Sequence, residues 1–153
     1  MKNQIKKIAL LTSGGDAPGM NASIRSVVRA CVFHSIIPVG VYKGYDGLIK
    51  GRFEEMNARS VKGIINKGGT ILKTARSEKF KSKVGRDQAF KSIKKNKIDG
   101  LIVIGGDGTF TGGLIFSEEN KFPVIGIPAT IDNDIFGTSH TIGFDSATNT
   151  VVD

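Results

Sequence analysis

The sequence predicts an α/β domain built on a mainly parallel β-sheet. Short apolar runs alternate with segments of helical periodicity along the 153 residues, which is the pattern of repeated strand–helix–strand units. Three of the apolar runs end in loops rich in glycine and aspartate. The composition, 39% hydrophobic and 24% charged, is that of one globular domain with a core of its own.

The first third of the chain predicts a strand, a helix and a strand. Four apolar residues at 8–11 form the first predicted strand, and residues 38–42 form the second. A helix is predicted at 21–34, because apolar residues recur there at spacings of three and four. This stripe consists of Ile24, Val27, Val28, Cys31 and Val32. Since Cys31 is the only cysteine, we expect a buried thiol and no disulfide framework.

The middle of the chain is predicted to form two helices and a further strand. A short helix is predicted at 60–67, where a pair of glycines stops it, and a strand follows at 70–72. Residues 86–96 are amphipathic and predict a second helix. Its buried side is expected to contain Ala89, Phe90 and Ile93.

The last third of the chain completes the predicted fold. Strands are predicted at 101–104 and 124–127, with a helix at 112–120 between them. Residues 146–153 predict a helix that starts but has no C-terminal cap, so we expect the chain to be truncated. The whole predicts a three-layer, Rossmann-like domain over residues 1–153, with helices on both faces of the sheet.

The glycine- and aspartate-rich loops predict a shared site. They occupy residues 12–21, 105–109 and 128–134, each directly after a predicted strand. In an open parallel sheet, loops at the carboxyl ends of neighbouring strands converge on one crevice. Glycines there let backbone N–H groups approach a phosphate, and carboxylates can hold its metal ion. The three loops together predict a phosphoryl-transfer site.

Four charged residues are candidates for the chemistry. Asp107 is the first candidate ligand for magnesium. Asp132 and Asp134 are two apart in an extended segment and point to the same side, as a base and a metal-binding carboxylate would. Arg76 follows a predicted strand, where its charge can stabilise the migrating phosphoryl group.

Each of these residues has a structural alternative. Asp107 can cap a helix that begins near Gly112, and residues 131–134 can form an ordinary Asx turn. A lone arginine such as Arg76 commonly ends in a surface salt bridge.

The net charge of +8 raises the question of a nucleic-acid partner. Much of the excess lies in residues 79–97, which lack the exposed, interleaved aromatics that single-strand binders use for stacking. We therefore expect a solvated helix face and no nucleic-acid partner. No stretch has the length of a membrane span or of a signal-peptide core, so we expect a cytoplasmic protein without a membrane partner.

The motifs resemble those of the 6-phosphofructokinase family, whose members transfer a phosphoryl group to fructose 6-phosphate. The likeness extends from residues 11–21 through 105–109 to 130–134 and 141–144. The first and third motifs are specific to that family, whereas the Gly-Gly-Asp-Gly-Thr string also occurs in NAD kinases and lipid kinases. The resemblance implies the fold of the family's N-terminal, nucleotide-binding domain.

The resemblance also implies roles for individual residues. Asp107 would hold Mg²⁺ with help from Asp134, Asp132 would accept the proton, and Thr130 would orient the sugar. ATP, as co-substrate, would be surrounded by Gly15, Tyr45, Arg76, Lys81, Arg86, Gly106, Asp107, Gly108, Thr109 and Gly112, with Arg76 also reaching the transferred group. Arg25 and Arg29 fall where bacterial members bind the phosphates of an effector, ADP or phosphoenolpyruvate.

The chain departs from the family pattern at several positions. Members that use pyrophosphate are expected to carry aspartate at Gly108 and lysine at Ala129, so the small residues here predict ATP as the donor. Ser77 stands where an aromatic residue often follows Arg76. A further effector-site arginine is displaced, with Ala58 in its place and Arg59 one residue later.

The length of the chain is the largest departure. It covers about the first half of a bacterial phosphofructokinase, so the sugar-phosphate-binding C-terminal domain is expected to be absent. We expect a homotetramer at full length and little activity of the half-chain alone. Two other functions stay open at this point, another kinase of the Gly-Gly-Asp-Gly-Thr group and a non-catalytic nucleotide-binding sensor.

Overall fold

The structure, a computed structural model, describes residues 4–152 and centres on a five-stranded sheet. Its strands are β1 (Lys7–Thr12), β2 (Ile37–Val41), β3 (Phe53–Glu55), β4 (Gly100–Gly105) and β5 (Val124–Pro128), in the spatial order β3-β2-β1-β4-β5. Every pairing is parallel except that of β2 with β3. The predicted α/β fold with a mainly parallel sheet is confirmed.

Residues 4–152 contain six helices, five of which lie between strands along the chain. They are α1 (Met20–Phe33), α2 (Gly44–Lys50), α3 (Glu78–Lys81), α4 (Lys83–Lys95), α5 (Asp107–Asn120) and α6 (Phe144–Val152). Residue 153, the last of the predicted C-terminal helix, lies outside the described residues. No helix in the described part of the chain is long and apolar enough to cross a bilayer.

The two faces of the sheet bury separate cores, which gives the predicted three layers. Ala9 and Leu11 of β1 point into one core, with residues of α2, α3, α4 and α5. Leu10 points to the other face, where α1 and the segment 56–72 cover the sheet. The alternation follows from the two-residue period of a strand, and both faces are apolar because helices or loops cover both.

The segment 57–72 differs from the prediction. The helix predicted at 60–67 and the strand predicted at 70–72 are both wrong, because the chain forms successive turns there. Val61 and Ile64 are buried at helical spacing, but Gly63 and Gly69 have φ angles of +68° and +69° and break the helix. Residues 70–72 form no strand because their backbone groups have other partners: the Asn21 and Thr70 side chains accept from the Ile71 and Leu72 amides, and the Leu72 carbonyl accepts from the Lys43 N–H.

Three short elements were not predicted, and three helices, α4, α5 and α6, start earlier than expected by more than one residue. The missed elements are α2, β3 and α3. The helix expected from Gly112 begins at Asp107, so the second glycine-rich motif is itself its first turn.

Candidate active site

The three glycine-rich loops meet at one cavity, at the carboxyl ends of β1, β4 and β5. The cavity has a volume of about 900 Å³, in the range of pockets that hold small molecules. Every predicted site residue lines it except Arg25 and Arg29: Gly15, Tyr45, Arg76, Lys81, Arg86, Gly106, Asp107, Gly108, Thr109, Gly112, Thr130, Asp132 and Asp134. The lining also includes Ser13, Gly14, Asp16, Thr111 and Ile115, which sequence reasoning did not assign although three of them, Gly14, Asp16 and Thr111, adjoin assigned residues.

The loops are joined to one another by backbone hydrogen bonds. Ser13 N–H donates to the Ile104 carbonyl at 3.0 Å, and Ala129 N–H donates to the Gly105 carbonyl at 2.9 Å. A Cβ on Gly105 would lie 2.5 Å from the Ser13 oxygen, so only glycine permits this approach. The three loops therefore form one floor for the cavity.

The N-terminus of α5 supplies backbone donors to this cavity. Gly106 stands at the N-cap without a side chain, and no described side chain caps the helix, so Asp107 is not the cap. The first amides of a helix have no partner within it and carry partial positive charge, which favours an anion. Cβ atoms built on Gly15 and Gly108 meet nothing within 4 Å, so the backbone at these two positions is open.

Three carboxylates and one guanidinium are free to meet a ligand. Asp107, Asp132, Asp134 and Arg76 are exposed and line the cavity. Within residues 4–152, none of these four side chains forms an ion pair, so the salt-bridge alternative for Arg76 does not hold there. The described residues contain no group of three or more metal-binding side chains. Such sparse carboxylates fit Mg²⁺, which keeps several waters and takes phosphate oxygens as further ligands.

The chain around Asp132 and Asp134 is shaped by hydrogen bonds of Asn133, Thr130 and Thr141. Asn133, with a φ of +50°, donates from its amide to the Ser139 carbonyl at 3.2 Å. The Thr130 hydroxyl accepts from the Asp132 N–H at 3.2 Å, and Thr141 donates its hydroxyl to the Thr130 carbonyl at 2.8 Å. A side-chain turn is therefore present, but it leaves both aspartate carboxylates free.

One wall of the cavity is a pair of stacked rings. Tyr45 and Phe80 lie 3.9 Å apart at an angle of 9°, and the Tyr45 hydroxyl donates to the Thr109 carbonyl. Burial raises the pKa of Tyr45 well above its ordinary value, so its hydroxyl stays protonated and donating. A Cβ on Gly112 would lie 3.3 Å from the Phe80 ring and 3.4 Å from the Tyr45 ring. Glycine at that position keeps the wall in place.

Arg86 holds a second part of the same wall. Its guanidinium forms a bidentate pair with Glu119, at 2.7 and 2.8 Å, and donates to the carbonyls of Phe80 and Lys81. The hydrogen bond with Glu119 raises the pKa of Arg86 and lowers that of Glu119. Most of the donors of Arg86 are therefore used within the protein. Sequence reasoning missed Glu119, since nothing in its position on α5 signals a partner on α4.

The helix α3 carries the remaining predicted residue of the wall. Lys81 lines the cavity and pairs with Glu78 at 3.0 Å on the exposed side of α3. Ser77, which replaces the expected aromatic residue, accepts from the Phe80 N–H at 3.3 Å and caps this helix.

The two predicted effector residues lie outside the cavity. Arg25 donates from Nη1 to the Val61 carbonyl at 2.8 Å, so it packs on the segment that contains Ala58 and Arg59. Arg29 is exposed on the same helix.

Comparisons with known proteins place the chain in one family. The family model described as Phosphofructokinase matches residues 7–153. Proteins named ATP-dependent 6-phosphofructokinase from Cytophaga hutchinsonii and Thermotoga petrophila are each 57% identical, over 95% and 97% of this chain. The chain spans only 44% and 47% of their lengths, about half of each.

Solved structures agree with this assignment. Phosphofructokinase from Pichia pastoris in the T-state superimposes with a TM-score of 0.90 at 41% identity, covering 95% of this chain and 17% of that one. A pyrophosphate-dependent phosphofructokinase from Marinobacter aquaeolei has a TM-score of 0.78 at 21% identity, over 97% of this chain and 41% of that one, and shares the fold. The motifs, the cavity that they form and these matches lead to one conclusion: the chain belongs to the phosphofructokinase family.

Proposed function

We propose that this chain is the nucleotide-binding half of an ATP-dependent 6-phosphofructokinase. The whole protein would transfer the γ-phosphoryl group of ATP to the 1-hydroxyl of fructose 6-phosphate. One observation carries the proposal: three carboxylates and an arginine that form no ion pair within residues 4–152 line a single cavity of about 900 Å³, together with the open N-terminus of α5. The curated relatives at 57% identity bear the name of this activity.

The phosphates of the nucleotide are assigned to the glycine loops. The first amides of α5 and the open backbone at Gly15 and Gly108 donate to phosphate oxygens. Asp107 and Asp134 hold Mg²⁺, which when bound neutralises charge on the phosphate oxygens. Tyr45, Phe80 and Gly112 form the wall beside which the rest of the nucleotide lies.

The transfer itself is assigned to Asp132 and Arg76. The sugar hydroxyl oxygen forms a bond to the γ-phosphorus while the bond to the ADP oxygen breaks, and the hydroxyl proton passes to the Asp132 carboxylate. Arg76 places its positive charge on the migrating phosphoryl group. Thr130 accepts from the Asp132 N–H at 3.2 Å and so holds the base in place while it orients the sugar.

The preference for ATP over pyrophosphate is assigned to two small residues, Gly108 and Ala129. Gly108 lines the cavity and a Cβ there meets nothing within 4 Å, so glycine leaves the space beside it open. Ala129 is buried beneath the cavity, 1% exposed, and adds no bulk to it. Both positions leave room for the nucleoside of ATP.

The proposal extends to partners and location. Fructose 6-phosphate is the second substrate, and ADP or phosphoenolpyruvate binds near Arg25 and Arg29 as an effector. The full-length protein forms a homotetramer in the cytoplasm.

The test is product identification with the complete reading frame that encodes this chain. Fructose 1,6-bisphosphate should form with Mg²⁺ and ATP but not with pyrophosphate. Product with pyrophosphate alone would contradict the donor assignment. Nucleotide binding without any phosphorylated sugar would favour a sensor.

A further inference from the structure

Two polar residues of the first glycine-rich motif are buried, but neither of them faces the cavity. Thr12 is 0% exposed and Asn21 is 2% exposed, and neither lines the cavity. Nucleotide contacts therefore do not explain them. Buried polar side chains need partners, so their hydrogen bonds show what they do.

Asn21 uses both the oxygen and the nitrogen of its side-chain amide on one turn of the chain. Its Oδ1 accepts from the Ile71 N–H at 2.9 Å, and its Nδ2 donates to the Lys67 carbonyl at 3.1 Å. The turn between these two partners contains Gly69, with a φ of +69°, and belongs to no helix or strand. Because backbone groups in such a turn have no ladder to join, the Asn21 amide takes its place.

Thr12 secures the end of the same segment through a chain of hydroxyl bonds. The hydroxyls of Thr12 and Thr70 lie 2.9 Å apart, and the Thr12 hydroxyl donates to the Lys73 carbonyl at 3.1 Å. A hydroxyl has one proton, so the Thr70 hydroxyl is the donor to Thr12. Thr70 also accepts from the Leu72 N–H at 3.2 Å. The segment 67–73 is thus tied to β1 and to the start of α1.

Arg76 lies shortly after this anchored segment in the sequence. Only two residues separate it from Lys73, so its Cα lies within about 11 Å of the Lys73 Cα at full extension. Its own side chain is exposed and forms no ion pair within residues 4–152. The position of the guanidinium therefore depends on the position of the Arg76 backbone.

We propose that Asn21 is a positioning residue for Arg76, acting with Thr12 and Thr70 through the segment 67–73. Asn21 does not touch the nucleotide in this account; it fixes the backbone that carries the arginine to the terminal phosphate. The inference rests on the proposed function, in which Arg76 contacts the phosphoryl group that is transferred.

The test measures the affinities of the 153-residue chain for ATP and for ADP by calorimetry, with Mg²⁺ present. Arg76→Ala should lower the preference for ATP over ADP by about tenfold or more, the effect of losing one charge-assisted hydrogen bond. Asn21→Ala should lower the same preference, while the double variant should fall no further than Arg76→Ala alone. This lack of additivity is the sign that Asn21 acts through Arg76.

Further variants test whether a general loss of stability could produce the same result. Asn57 is exposed and also bonds a turn, through the Arg59 N–H at 2.9 Å, so Asn57→Ala should leave the preference unchanged. If Asn21→Ala does not fold, Thr70→Val should reproduce the loss, and Thr70→Ser, which keeps the hydroxyl, should restore it.

The outcomes separate the two claims. If Arg76→Ala lowers the preference for ATP over ADP, and Asn21→Ala lowers it by an amount that adds to this loss in the double variant, the positioning role is overturned. The proposed function then still stands. A wild-type preference in Arg76→Ala would overturn the assigned role of Arg76 and the positioning role with it.

Discussion

The side-chain carbonyl of Asn133 accepts a hydrogen bond from the Thr141 N–H at 2.9 Å, across a loop that follows Asp132 and contains Asp134. The amide of the same residue donates to Ser139. Asn133, the residue between Asp132 and Asp134, therefore closes the loop 133–141 from the inside. Its φ of +50° turns the chain so that neighbouring residues on both sides line the cavity.

Loss of this closure should disorder the loop. Asn133→Gly keeps the left-handed conformation but removes both side-chain bonds, at a cost of about 1 kcal/mol each. We expect faster hydrogen exchange at residues 131–141 and a lower kcat in the complete enzyme. Exchange in α4 serves as the internal control. Unchanged exchange at the Thr141 amide would contradict the role of Asn133.

The Arg86–Glu119 pair should make stability depend on pH in the acidic range. Arg86 holds the pKa of Glu119 below its ordinary value, near 4.3 in an unfolded chain. A carboxylate with a lowered folded-state pKa stabilises the fold above its unfolded pKa, and this contribution is lost as the pH falls through the folded pKa. Between about pH 5 and pH 3, the melting temperature of the wild type should therefore fall more steeply than that of Glu119→Gln.

The comparison in that experiment is Glu118→Gln, because Glu118 is exposed and forms no ion pair within the described residues. It should leave the slope as in the wild type. Parallel curves for the wild type and Glu119→Gln would show that the pair does not couple to folding.

A larger side chain at Gly108 should lower the affinity for ATP without changing the stability of the fold. The open space around its Cβ predicts that Gly108→Asp folds with a melting temperature close to that of the wild type. The new carboxylate enters the cavity beside the phosphates, so ATP affinity should drop by about tenfold or more. Calorimetric titration of the 153-residue chain measures this. Undiminished ATP affinity would defeat the steric argument for donor choice.

The parts of the fold that could be predicted are those set by local pattern. The apolar runs at β1, β4 and β5 indicate parallel strands, and the loop after each strand must then reach the same crevice. That reasoning brings Asp107 and Asp132 to one cavity without any knowledge of contacts. Their roles stay predictions until they are measured.

The parts that could not be predicted depend on distant partners. The segment 57–72 is irregular because side chains such as Asn21 supply its hydrogen bonds from another part of the chain. The helix α2 was not predicted, because its glycines lower helix propensity; Gly47 is required there by packing, since a Cβ would collide with the Tyr42 carbonyl oxygen. Glu119 has no sequence signal, since its importance arises only when α4 and α5 pack together.

In the proposed function, this cavity performs phosphoryl transfer with Asp132 as the base. The most direct measurement is the turnover of Asp132→Asn in the complete enzyme, together with ATP affinity in the 153-residue chain. The claim predicts a loss in kcat of about a hundredfold to ten-thousandfold, the usual contribution of a general base, with ATP affinity within about twofold of the wild type. Turnover near the wild-type level, or loss of ATP binding instead of turnover, would contradict it.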